Sequence, residues 1–235
     1  AHRLVKAAEI LPRSSGFLEG IPLVCRELGV SPSILLAEFL AGDGRRSPLT
    51  DPELEHLLSP DGHEEGQLRL LAYLDGQFRR RKGESMPGPL RELFEFLHGY
   101  GALRLMASGC GAAAMPAGTP PPDRAPKLRS TVRLMCPASD VLALLKRLPP
   151  LAEVRDRPVR LLLFIQDRTA SLACLSEAAA RLVEAIDGRR TREELETIVS
   201  DRALESGAAF DRRQAAAILQ ELTHRQVLAW PEAEG

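Results

Sequence analysis

At 235 residues the chain has room for one large domain or two modest ones, each able to bury a core. Its 31 basic and 32 acidic residues leave a formal net charge of −1, which argues against broad electrostatic affinity for nucleic acid or anionic membrane and leaves only a local patch open. Cys25, Cys110, Cys136 and Cys174 form no CxxC pair and the histidines form no HExxH or HxH, so no zinc ribbon, thioredoxin motif or zinc protease is written here.

In chain order, Leu4, Val5, Ala8 and Leu11 mark one helical face. Residues 17–28 are apolar enough for a second helix despite Pro22. Ser31-Pro32 is an N-cap followed by proline at the first helical position, ahead of Ile34, Leu35, Leu36, Phe39 and Leu40. Asp51-Pro52 repeats that start before Leu54, Leu57 and Leu58. From 64 to 81, Leu68, Leu71, Leu74 and Phe78 recur at helical spacing, and from 89 to 100 Leu90, Leu93, Phe94 and Leu97 do the same. These segments make residues 1–106 a helical bundle. Residues 107–128, ASGCGAAAMPAGTPPPDRAPKL, are rich in Gly, Ala and Pro without periodicity and read as a linker.

Beyond the linker the pattern changes. Residues 131–135 alternate like a strand, and Ser139 is placed to cap a short helix through Val141, Leu142, Leu144 and Leu145. The run 159–165, bounded by charges, is a strand buried on both faces. Gln166, Asp167, Arg168 and Thr169 make a polar turn into a return strand over 170–175. Three short helices follow. Ser176 caps the first and Gly188 is placed to end it; Thr191 with Glu194, and Asp211 with Gln214, form capping boxes for the next two. Residues 227–230 read as a closing strand. The predicted fold is therefore mainly α with a small β-sheet (α+β): an N-terminal helical bundle and, over 129–235, a C-terminal winged-helix domain. Such a domain usually recognises something rather than performing chemistry.

The remaining motifs agree. Residues 25–33 look like the turn of a helix-turn-helix, but the helix after it lacks base-reading side chains and is apolar enough to belong in a core. Arg79, Arg80, Arg81 and Lys82 close a helix where cations suit the dipole, so a solvated helix end outweighs a phosphate or acidic-partner site. Ser108-Gly109-Cys110-Gly111 lacks the strand-turn-helix context of a nucleophile elbow. No P-loop or GxGxxG is present. The expectation is a protein that is not an enzyme and holds no cofactor or metal of its own. No apolar run approaches the roughly 20 residues of a membrane span. The opening AHRLVKAAEILPRSS lacks a signal peptide's apolar core, so a cytoplasmic protein with reduced thiols is expected.

Residues 186–194, IDGRRTREE, match a hydrophobic-Asp-Gly-x-x-Thr-x-x-Glu signature. With it, residues 131–230 resemble a PqqD-like domain, the recognition element of enzymes that modify ribosomally made peptides. The segment VRLMCPASDVLALL, then RPVRLLLFIQDR, is similar to partner proteins of multinuclear non-haem iron oxidases. The turn His224-Arg225-Gln226 departs from the pattern in lacking a glycine.

The resemblance implies a short sheet before three helices, with a peptide added to the sheet edge by β-augmentation. It places that edge at Ser171, Leu172, Ala173 and Cys174. The third helix would be the groove wall: Arg212, Arg213 and Gln214 would meet acidic leader residues, and Ala216 and Ala217 would allow close approach. Arg212 and Arg213 are equally readable as a solvated first turn, although cations are disfavoured there. The implied function is a non-catalytic partner subunit. It binds a ribosomally made precursor peptide and presents it to a modifying enzyme, an iron-dependent oxidase, in a hetero-oligomer without membrane or nucleic acid. The alternative is a winged-helix DNA-binding or regulatory protein using Arg212, Arg213 and Arg225. A free-standing enzyme ranks third.

Overall fold

Local chemistry sets the helix starts and stops. The computed structural model describes residues 17–41, 50, 63–109, 123–147, 151–154, 157–205 and 212–230. The expected helices around Leu4 and Leu54, the body of the linker and Asp211 of the second capping box lie outside them. The described residues are mostly helical with small antiparallel sheets, an α+β fold. They divide into two compact units, one of 1–105 with 137–158 and one of 106–136 with 159–235.

The first unit holds α1 (Phe17–Leu28), α2 (Pro32–Ala41), α3 (His63–Lys82), most of α4 (Gly88–Gly109) and α5 (Val141–Arg147). Pro22 is exposed in α1, while Ile21, Leu23, Val24, Cys25 and Leu28 are buried. Gly29, at φ +67°, ends the helix in a conformation that suits a residue without Cβ. Ser31 then starts α2: its carbonyl accepts from Leu35 N at 3.1 Å and its Oγ from Ile34 N at 3.4 Å.

α2 does not sink into a core as its composition suggests. Leu35 is buried but Ile34 is 51% exposed. α3 is also rotated from the expected face. Leu70, Tyr73, Leu74, Gln77 and Phe78 are buried, whereas Leu68 is 61% exposed. The polar Tyr73 and Gln77 go inward because α2 supplies partners. Tyr73 donates to the Leu35 carbonyl at 3.0 Å and to Glu38 Oε2 at 3.3 Å, and Gln77 Nε2 donates to the same oxygen at 3.1 Å. On α4, Leu90, Leu93, Phe94 and Leu97 are buried as the periodicity predicts. α1 approaches α4 at Gly20, where a Cβ would lie 3.0 Å from Phe94 Cζ. The cap of α5 is Asp140, whose Oδ1 accepts from Ala143 N at 3.0 Å. Ser139, the expected cap, is buried instead, with its amide donating to Glu92 Oε2 of α4 at 2.9 Å.

The second unit holds β1 (Lys127–Leu128), β2 (Arg133–Met135), β3 (Leu161–Gln166), β4 (Thr169–Cys174), α6 (Glu177–Ala185), α7 (Arg192–Glu205), α8 (Arg212–His224) and β5 (Leu228–Ala229). β2, β3 and β4 form an antiparallel sheet in that order. The closing strand β5 does not join this sheet. It pairs antiparallel with β1, inside the stretch read as linker, while α4 extends into that stretch from its other end. Ser176 caps α6 through Ala179 N at 3.2 Å. The capping box of α7 is formed both ways: Thr191 N donates to Glu194 Oε2 at 2.7 Å, and Glu194 N to Thr191 Oγ1 at 3.3 Å. The core joins Leu162 and Phe164 of β3 to Leu182 and Val183 of α6, Leu195 of α7, and Ala215, Leu219 and Leu222 of α8. Where the turn after α8 lacks glycine, Gln226 itself takes φ +60°.

Candidate functional site

Asp167 and Arg168 both have positive φ, 49° and 62°, and connect β3 to β4 as a two-residue hairpin loop of type I′. This loop fixes the register Gln166↔Thr169 through Leu161↔Cys174. Beyond such a loop, every second facing pair exchanges its amide and carbonyl across the strands. The exchanging pairs are Gln166 with Thr169, Phe164 with Ser171, and Leu162 with Ala173. Leu175 N donating to the Arg160 carbonyl at 2.8 Å continues the series. The amides of Ser171 and Ala173 are therefore committed to β3. Those of Leu172 and Cys174 point the other way, where no neighbouring strand lies among the described residues.

Side chains alternate in the opposite sense. Ala173 and Leu175 pack against the helix-side core. Ser171 shares that side, and Leu172 and Cys174 take the other. Residues 171–174 thus lie together on one sheet edge, with Leu172 and Cys174 offering backbone groups and Ser171 and Ala173 offering a low helix-side ledge. Ser171, Leu172 and Ala173 are half-buried and Cys174 is exposed.

The arginines of α8 divide. Arg212 turns to α7, where Nη2 donates to Thr197 Oγ1 at 2.7 Å, and Thr197 in turn donates to the Glu193 carbonyl at 2.9 Å. Arg213, Gln214 and Ala217 are exposed and Ala216 is half-buried. Among the described residues no hydrogen bond or ion pair joins Arg212 to β4. A depression of about 550 Å³ lies at the start of α7, lined by Arg190, Thr191, Glu193, Glu194, Thr197 and Ile198.

Sequence reading missed a charged group at the far end of β4. Glu177 pairs with two arginines: Arg160 Nε stands 3.4 Å from Oε2, and Arg181 Nε donates to Oε1 at 3.3 Å. The i, i+4 spacing of Glu177 and Arg181 was available as a signal. Arg160 required knowledge of the hairpin register.

Elsewhere, Arg79 pairs with Asp75 at 3.0 Å and Arg81 with Glu38 at 2.9 Å, so two members of the basic run are engaged. Burial and the neighbouring Glu38 carboxylate push the Tyr73 phenol well above its usual range. Burial likewise pushes the Cys25 thiol up. Among the described residues, no three His, Cys, Asp or Glu side chains are gathered to hold a metal, and no helix is long and apolar enough to cross a membrane. Comparison of the chain with protein-family models and with curated proteins gives no match.

Proposed function

We propose that this chain is a non-catalytic partner subunit of the cytoplasm. It takes a ribosomally made precursor peptide as an added strand on β4 and presents it to a modifying enzyme, an iron-dependent oxidase of the multinuclear non-haem class. The observation that carries this reading is the outward direction of the Leu172 and Cys174 amides on a terminal strand. An added strand gains affinity from such backbone groups and specificity from alternate side chains. An edge left open is otherwise an aggregation liability. On this reading Arg213, exposed on the first turn of α8, and the half-buried Ala216 are the α8 residues that would flank the peptide.

The DNA-binding reading is weaker on the same observations. It needs a basic face on α8, but Arg212 is held by Thr197 and Arg225 by Glu221 at 2.6 Å.

The test is titration of a labelled precursor peptide from the same source against the wild type and Leu172→Pro. Proline removes an outward amide without touching the β3 ladder. Binding is expected to be lost in a variant whose circular dichroism is unchanged. Equal affinity in the folded variant rejects strand addition at β4.

A further inference from the structure

From the make-up of β4 we infer that its edge, when no peptide fills it, pairs with the β4 edge of a second copy of this chain, antiparallel about a twofold axis, and that the peptide competes with this pairing. The inference rests on β4 taking added strands and concerns how that site is regulated. Natural proteins blunt an exposed edge with a charged side chain, a proline, a bulge or a cover. β4 reads TASLAC, with no charged residue and no proline, and it follows β3 residue for residue without a bulge. Among the described residues no further strand lies beyond it. Nothing in the strand itself turns another strand away.

Symmetry selects the second copy. A twofold axis brings identical edges together, so every contact is made twice and the assembly closes at the dimer. In an antiparallel ladder, residues that exchange amide and carbonyl must face each other. The outward amides of Leu172 and Cys174 flank Ala173, whose own amide is committed to β3. An axis through Ala173 sets Leu172 of each copy opposite Cys174 of the other, and all these outward amides meet carbonyls. Ala173 then faces its own counterpart in a pair without hydrogen bonds, the closer spacing, with about 4.5 Å between Cα atoms. Methyl groups fit that approach. Ser171 faces Leu175, a small side chain against a large one. No charged residue falls in these pairs, so the register carries no like-charge cost. A strand pair with so little area makes a weak dimer, which an added peptide can displace.

Sedimentation of the full wild-type chain over a dilution series is the first test. It should show a monomer–dimer equilibrium with a dissociation constant on the order of 100 μM, and Leu172→Pro, folded by circular dichroism, should stay monomeric. Cross-linking then reads the register in a chain carrying Cys110→Ser, Cys136→Ser and Cys174→Ser. Ala173→Cys should form an intermolecular disulfide on mild oxidation, because a Cα separation of about 4.5 Å lies within disulfide range. Ser171→Cys should not, since the axis leaves the two copies of that residue several positions apart. The labelled precursor peptide, at saturation, should return the wild type to monomer. A wild type that is monomeric throughout, a dimer that survives Leu172→Pro, cross-linking at Ser171→Cys or at neither site, or a dimer undiminished by bound peptide overturns the self-pairing and leaves peptide addition to its own titration. A dimer with the expected cross-link that ignores a peptide with no affinity for the chain removes the peptide reading and leaves the self-pairing standing.

Discussion

β3 and β4 belong to one hairpin, yet Leu161, Leu162, Leu163 and Phe164 are out of solvent while only Ala170 of β4 is buried. β3 has a partner strand on each side, and its apolar side chains are buried on both faces. β4 has one partner, and its side chains are smaller and partly wet. The difference separates two duties. The inner strand fixes the domain, and the outer one can keep backbone groups for a visitor because the fold does not depend on them.

The sharpest way to break this contrast is at its buried half. Phe164→Ala should lower unfolding free energy by about 3–5 kcal/mol, read by chemical denaturation. A loss comparable to that of a surface substitution would mean that β3 is not the keystone. Next come two prolines one residue apart. Ala173→Pro removes an amide from the ladder to Leu162 and leaves its carbonyl unsatisfied, so it should cost about 1–3 kcal/mol. Leu172→Pro should shift the denaturation midpoint far less while abolishing peptide binding. Equal destabilisation by the two would show that the assignment of amide directions is wrong.

A smaller effect is expected at the turn. Arg168 holds φ +62° without the glycine that this position favours. Arg168→Gly relieves that conformation but gains unfolded-chain entropy, for a net stabilisation of about 0.5 kcal/mol, read as a raised melting temperature. The smallest concerns acid. The amides of Arg189 and Arg190 donate to Asp187 Oδ1 at 2.9 and 3.1 Å and hold its carboxyl below the ordinary value of 3.8. A depressed folded value means that this group's stabilisation is complete above the ordinary value and is lost as pH falls through the folded one. Asp187→Asn should therefore shallow the acid-side decline of melting temperature below about pH 4 and leave its slope near neutrality unchanged.

What sequence made legible was local. Ser31-Pro32, Ser176 and the Thr191–Glu194 box act within one helical turn, and each starts its helix where expected. The unbroken apolar run of β3, bounded by charges, reads most simply as a strand covered on both faces, and it is one. What stayed hidden depended on distant partners. Tyr73 and Gln77 turn inward only because Glu38 and the Leu35 carbonyl await them, which displaces the predicted α3 face. Ser139 and Asp140 are both able caps, and the choice falls to Asp140 while Glu92 takes the Ser139 amide. Residues 171–174 could be named as an edge from their place after a turn. Their amide directions needed the register. The resemblance puts Arg212 on a groove wall facing a peptide; its bond to Thr197, fifteen residues back, follows from how α8 packs on α7 and is not written in either helix.

The pairing of β1 with β5 sets a timetable. Lys127 faces Ala229 and Leu128 faces Leu228, and Arg129 N donates to the Val227 carbonyl at 3.0 Å. During synthesis Lys127 leaves the ribosome roughly a hundred residues before its partner, an interval of about 5–20 seconds at typical elongation rates. Throughout it the hairpin and the early helices can form, but β1 has nothing to pair with. The unit is clasped last, by its own final strand, and a ribosome stalled before Leu228 would hold a nascent chain whose sheet edge is made and whose clasp is still open.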